Sequence, residues 1–102
     1  MTMGGHFDRG LRGIGMGYYI EKCGGGNPET ADVRFTDEGK VEIRIGTQSN
    51  GQGHETAYAQ ILSDTIGVEG DAIKVIQGDT DTVPPGMTGG SRSVPVGGAA
   101  VL

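Results

Sequence analysis

The chain contains no tryptophan and one cysteine, Cys23, and each scarcity closes off a class of protein. One thiol cannot form an internal disulfide, nor supply the cysteine clusters that hold iron–sulfur centres or structural zinc. Cys23 is read as a small residue ending a strand rather than as a reactive thiol. Aromatics are few, two Phe and three Tyr in 102 residues, and only 34% of residues are hydrophobic. A chain of that length holds one domain, and so little apolar mass leaves a small core and a thin stability margin. No apolar run reaches membrane-spanning length and no signal peptide is visible at the N-terminus, so a cytoplasmic protein is expected. Cations are also scarce: 8 Lys and Arg stand against 13 Asp and Glu, for a net charge of −5. No basic stretch is dense enough to track a nucleic-acid backbone. A bound anion would depend on backbone N–H groups and one or two local Arg residues.

Glycine, by contrast, fills 21 positions, in clusters: Gly13, Gly15 and Gly17; Gly24 to Gly26; Gly51 and Gly53; Gly89 and Gly90; Gly97 and Gly98. Clustering fits loops built from backbone better than it fits general disorder, because several segments between the clusters are periodic. The end segments, Met1 to Gly5 and Ala99 to Leu102, read as cuts through larger elements, so the chain reads as an excerpt.

Ile14, Met16, Tyr18 and Ile20 recur with a period of two, which predicts a strand over Gly13 to Lys22 with one apolar face and one nearly bare face. Gly24-Gly25-Gly26-Asn27-Pro28 breaks the pattern into a loop. Ala31, Val33 and Phe35, then Val41, Ile43 and Ile45, alternate on either side of Thr36-Asp37-Glu38-Gly39-Lys40, which predicts a hairpin. Its other face carries Asp32, Arg34, Glu42 and Arg44, which could pair across the strands or form a solvated surface. After the polar loop Thr47 to Gly53, the stripe Tyr58, Ile61, Leu62 and Ile66, extended by Ala57, predicts a helix over His54 to Ile66. Glu55 suits its first turn and Gly67 its left-handed cap. A short buried strand is expected over Ala72 to Ile76, then an irregular loop through Pro84-Pro85-Gly86. A further helix could begin within Ser91 to Val101. The expected fold class is α+β: a small mixed sheet with a β-hairpin and one main packed helix, without internal repeats or linkers.

Two turns could carry chemistry. At Gly51-Gln52-Gly53-His54 a strand leads into a helix whose first N–H groups lack internal partners, and the flanking glycines let a ligand approach. Gln52 can donate and accept through its amide. A polar loop that merely caps the helix is the alternative. His54 has no ligating partner at suitable spacing except adjacent Glu55, so a helix-entry histidine held by hydrogen bonds is the preferred reading. His6 carries no signal. Gly90-Ser91-Arg92-Ser93, preceded by Thr88-Gly89, offers two hydroxyls and an Arg as a pyrophosphate grip, although Gly/Ser loops are common. Asp79 and Asp81 match a calcium loop only in part, lacking its glycine and closing Glu, so turn and capping roles are expected. Gly13-Ile14-Gly15-Met16-Gly17 lies inside the predicted strand and is no dinucleotide fingerprint.

The run Gly46-Thr47-Gln48-Ser49-Asn50-Gly51-Gln52-Gly53-His54-Glu55-Thr56 resembles the molybdopterin-contacting loop of the xanthine dehydrogenase, aldehyde oxidase and aerobic carbon monoxide dehydrogenase family. Tyr58-Ala59-Gln60-Ile61 through Gln77-Gly78-Asp79-Thr80-Asp81, then Thr88 to Ser93 and Gly97-Gly98-Ala99-Ala100, continue the resemblance in order. It covers about residues 12–102, in one unit spanning 1–102. The resemblance implies a piece of a large subunit that binds molybdenum on a pterin, as the cytosine dinucleotide in many bacterial members. Such enzymes oxidise an aldehyde, a heterocycle or carbon monoxide with oxygen derived from water. It implies as partners the rest of the large subunit and iron–sulfur and flavin domains or subunits. Gly51, Gln52, Gly53, His54, Gly90, Ser91, Arg92 and Ser93 would then bind and orient the cofactor, which carries the chemistry. The family's catalytic Glu, and a second Gly-rich loop whose Gln approaches the molybdenum, match no segment here. The isolated chain is therefore expected to be inactive and to bind free cofactor weakly or not at all. Alternatives are a free-standing anion- or nucleotide-binding module, or an assembly fragment whose open sheet edges pair with a copy of itself.

Overall fold

The computed structural model describes residues 10–102; Met1 to Gly5 and His6 lie outside the described residues. Strand β1, Ala31–Phe35, turns through Thr36 to Lys40 into β2, Val41–Ile45. The Thr36 N–H donates to Lys40 O at 2.8 Å, and Gly39 adopts φ 79° within the turn. Helix α1, His54–Ile66, follows, capped by Gly67 at φ 75°. One 3-10 turn, Gly70–Ala72, precedes β3, Ile73–Ile76. Near the end a wide helical turn, Ser93–Gly98, runs into the short helix α2, Ala99–Val101. In the wide turn the Gly97 N–H reaches back five residues to Arg92 O.

The sheet order is β1-β2-β3, with β1 antiparallel and β3 parallel to the central β2. Hairpin and helix stand where the periodicities place them, and the fold is the α+β arrangement expected. The reason lies in β2, whose Val41, Ile43 and Ile45 are fully buried while Glu42 and Arg44 face the other way. Tyr58 and Leu62 of α1 close over those three side chains, with Val101 of α2 completing the core. Each Val or Ile so buried contributes about 1.5–3 kcal/mol relative to exposure. Ile66, the last member of the predicted stripe, remains 42% exposed and lies outside the core cluster. β3 is half-buried rather than buried, being an edge strand, and starts one residue later than expected.

The charged face of the hairpin is solvated at Asp32 and Arg34 and half-buried at Glu42 and Arg44. The register sets Asp32 opposite Arg44 and Arg34 opposite Glu42, yet the ion pairs run along the strands. Arg34 meets Asp32 at 2.9 Å and Arg44 meets Glu42 at 3.1 Å. The first pair is over half exposed and stabilises little.

The strand expected over Gly13 to Lys22 does not form. Residues 10–22 carry no regular structure, and Ile14, Met16, Tyr18 and Ile20 are fully exposed. Alternation provides a face, but a strand also needs a neighbour for its N–H and C=O groups, and among the described residues this segment has none. Cys23 is accordingly exposed in a loop instead of ending a strand.

Two glycines join the central strand to the far loop by space alone. A Cβ on Gly46 would sit 2.4 Å from Gly86 N and 2.5 Å from Pro84 O. These are backbone atoms, which cannot swing aside. Gly46→Ala should therefore lower unfolding stability by about 1–3 kcal/mol, read as a reduced urea midpoint with unchanged slope; a midpoint at the wild-type value would show that the contact is not rigid.

Candidate functional site

The join between β2 and α1 is built mainly by side chains outside the candidate turn. Gln77, just after β3, accepts the Ser49 N–H at 2.9 Å and donates to Glu55 Oε1 in the first turn of α1. One amide thus fixes the loop to the helix start. Gly53 sits at the helix N-cap with φ 79°, a conformation costly for any side chain, and no side chain caps the helix N–H groups. Gly51, Gln52 and Gly53 are exposed. The amide oxygen of Gln52 turns back to accept the Asn50 N–H and the Ser49 hydroxyl, so the amino group is its outward donor. His54 is buried, and its Nδ1 faces Thr47 O at 3.2 Å, an acceptor that requires Nδ1 to carry the proton. Its Nε2 is buried with no hydrogen-bond partner in the protein.

The second turn is anchored from beneath by Arg92. Its guanidinium does not face solvent as a grip for phosphate; only 3% of the side chain is exposed. It pairs with Glu29 Oε2 at 2.8 Å and donates to Met87 O at 2.7 Å, to Gly25 O at 3.3 Å and to Asn27 O. Gly90 and Ser91 lie exposed above it, Ser91 in the left-handed region at φ 51°. The Ser91 hydroxyl donates to Glu21. The Gly24 N–H donates to Gly90 O at 3.2 Å and to Ser91 O at 3.1 Å, tying the Gly24–Gly26 loop to the turn.

Tyr58 joins the two turns. Fully buried in α1, it donates through its phenol to Ser93 O at 2.9 Å and packs its ring 5.3 Å from His54. Gly97 permits the approach, since a Cβ there would lie 2.5 Å from the phenol oxygen and 3.3 Å from Thr47 Oγ1. Burial raises the Tyr58 phenol above its ordinary value, opposed by the neighbouring Thr47 hydroxyl; the Glu29 charge adds upward, and the hydrogen bond to Ser93 and the Arg92 charge act downward.

Between the turns lies a cleft of about 390 Å³. Gln52, His54 and Ala57 form one wall; Thr88, Gly89, Ser91 and Ser93 form the other, with Val94 and Pro95 at the end. The fold thus brings together the two motifs that sequence reasoning singled out separately. Gly51, Gly53, Gly90 and Arg92 shape the walls without lining them. A second hollow, about 430 Å³, lies on the other side of the loop between Gln48 and the Gly78–Met87 segment. Its walls contain no residue of Gly51–His54 or of Gly90–Ser93. Asp79 has a turn role, its carboxylate accepting the Asp81 N–H at 3.0 Å. No cluster of three or more His, Cys, Asp or Glu suited to a metal ion occurs among the described residues.

Two outcomes follow from this anchoring. Arg92→Ala leaves Glu29 buried without its partner and should cost about 3–5 kcal/mol of stability, whereas a ligand-facing surface Arg would cost within about 0.5 kcal/mol. Arg92→Met combined with Glu29→Leu should recover part of that loss in urea unfolding. Because the phenol of Tyr58 is raised in the folded state, its contribution is complete below the unfolded tyrosine value, about 10, and is lost as pH rises through the folded value. Tyr58→Phe should be less stable at neutral pH by about 1 kcal/mol and should lack part of the alkaline loss; an identical alkaline profile would remove Tyr58 as its source.

The molybdopterin cofactor-binding domain family model matches residues 3–102. The carbon monoxide dehydrogenase large chain of Afipia carboxidovorans is 41% identical over 104 residues, covering 90% of this chain and 13% of that protein. The corresponding chain of Hydrogenophaga pseudoflava is 40% identical over 103 residues, covering 89% of this chain and 13% of that protein. The nicotine 6-hydroxylase large subunit of Paenarthrobacter nicotinovorans is 30% identical over 105 residues, with 87% and 12% covered. A crystal structure of a Cu,Mo-CO dehydrogenase superposes with a TM-score of 0.70 at 48% identity, over 72% of this chain and 9% of that one. The chain thus spans about an eighth of the length of the curated relatives it matches. On the extent of that match, this chain belongs to the molybdopterin cofactor-binding domain family.

Proposed function

We propose that the chain holds and orients a molybdenum-bearing pterin cofactor within a larger molybdenum hydroxylase, and that the cleft between the Gly51–His54 and Gly90–Ser93 turns is the surface that does so. The observation carrying this reading is the convergence of both turns on one cleft. Its walls suit a polar heterocycle with an anionic tail. The uncapped start of α1 offers backbone donors beside a partial positive charge. Gln52 offers an amino group, and Ser91 and Ser93 line the opposite wall. His54 Nε2, a buried polar atom without a protein partner, stands at the junction of cleft and core. Bound cofactor would supply the redox and oxygen-transfer chemistry, and this chain's residues would bind it, orient it and keep its two turns in register. Arg92 enters this reading as the residue that positions the Ser91–Ser93 wall, not as a phosphate ligand.

The relatives support a role with the cofactor rather than the substrate. Their names specify carbon monoxide in one case and nicotine in another, yet the same segment is shared. A segment common to enzymes of different substrates fits what they have in common. The cytosine dinucleotide form of the cofactor, the iron–sulfur and flavin partners, and a cytoplasmic location belong to the same proposal. Among the described residues no helix is long and apolar enough to cross a membrane.

In the full-length protein, Gln52→Ala and Ser93→Ala should each reduce pterin content per polypeptide, read from the fluorescence of released pterin. Loss of one hydrogen bond worth about 1.4 kcal/mol corresponds to roughly tenfold weaker retention. Pterin content unchanged in both variants would overturn the assignment of this cleft.

A further inference from the structure

β3 delivers one polar side chain to the base of the Gly51–His54 turn. The parallel register pairs Ile76 with Arg44, so the next residue, Gln77, leaves the sheet where β2 enters the loop. Its half-buried amide accepts the Ser49 N–H at 2.9 Å and donates to Glu55 Oε1. An amide suits both partners, because it accepts through oxygen and donates through nitrogen at once.

The contact at Ser49 continues toward the cleft. The Ser49 hydroxyl accepts the Gly51 N–H at 3.2 Å and donates to the Gln52 amide oxygen at 3.4 Å. The Asn50 N–H donates to that same oxygen. Two donors on one oxygen decide which end of the Gln52 amide turns outward. The amino group is left for the cleft, and a ligand atom that meets an amino group must be an acceptor.

The contact at Glu55 acts on the same turn by another route. A carboxylate in the first turn of a helix is drawn to the free N–H groups there. Glu55 is the acidic residue in that turn of α1, yet no side chain caps the helix. Bonded to Gln77, it lines hollows on other sides of the helix start and is absent from the walls of the cleft. The start of α1 thereby stays open on the cleft side.

We propose that Gln77 is the positioning residue of the cofactor surface. Through Ser49 it sets the Gln52 amide with its amino group toward an acceptor atom of the bound heterocycle, and through Glu55 it keeps the start of α1 uncapped. It touches no ligand itself, since it does not line the cleft. The inference rests on the cofactor reading of the cleft, and adds to it the polarity of the ligand atom and a residue outside both motifs.

Full-length protein carrying either Gln77→Ala, or Gln77→Glu together with Glu55→Gln, tests this. The first variant removes both contacts. The paired variant keeps an acceptor for the Ser49 N–H and restores the bond to position 55 with its direction reversed. Gln77→Ala should lower pterin content per polypeptide by roughly tenfold, and the paired variant should return it to within about twofold of wild type. Thermal unfolding of loaded and emptied protein separates positioning from packing: Gln77→Ala should lower the midpoint of the loaded protein more than that of the emptied one. Wild-type pterin content in Gln77→Ala, a paired variant no better than Gln77→Ala, or equal midpoint losses with and without cofactor would each overturn the proposal. If Gln52→Ala and Ser93→Ala still lose pterin in that case, the cofactor reading stands without it; unchanged pterin in those two variants would remove both.

Discussion

The guanidinium of Arg92 is the point through which the candidate site is held, because it is charged, buried and ringed by acceptors from the loops that meet there. A buried cation is tolerated only with a counter-ion and full hydrogen bonding. Here Glu29 supplies the charge, and the carbonyls of Gly25, Asn27 and Met87 supply the remaining acceptors. The Gly25–Glu29 stretch, 63 to 67 residues away in sequence, is thereby drawn around the side chain that also holds Met87 of its own segment. The turn above it, with Ser91 in a left-handed conformation, is held in place from below. On the other side of the cleft, Tyr58 reaches from α1 to Ser93 and fixes the distance between the walls.

The division of labour between the two anchors is physical. Arg92 draws the Gly24–Glu29 loop under its turn through charge, at a desolvation cost offset by the number of partners. Tyr58 belongs to the apolar core, and its single polar atom is the link from core to wall. The glycines at 97, 46 and 86 contribute by lacking a side chain where backbones or the phenol approach within a few ångström. The surfaces facing the cleft carry structural contacts of their own: Gln52 accepts from Asn50 and Ser49, Ser91 donates to Glu21, Thr88 donates to Gln48 O, and His54 faces Thr47 O.

Much of this was legible in the sequence. The alternation in Val41–Ile45 and the three-and-four spacing in Tyr58–Ile66 gave hairpin and helix within a residue, since burial on one face leaves a periodic trace. The two turns were visible from their glycines and from their resemblance to a cofactor-binding family. Pair-level facts were not legible. Glu29 follows a Pro in a polar stretch and nothing local marks it as the partner of a residue 63 positions away. Arg92 reads as an anion grip because its side-chain direction is set by that distant partner. Gln77, which fastens the loop to α1, looks like any polar residue ending a strand. The period of two over Gly13 to Ile20 predicts a strand, and periodicity alone cannot say where its hydrogen-bonding neighbour comes from.

The central claim is that both turns form one cofactor surface, with Arg92 beneath it rather than on it. A crystal structure of the full-length protein loaded with its cofactor measures this directly. The account predicts cofactor atoms within contact distance of both Gln52 and Ser93, while the Arg92 guanidinium remains paired with Glu29. A cofactor touching only one of the two turns, or Arg92 released from Glu29 onto a phosphate group, would contradict it.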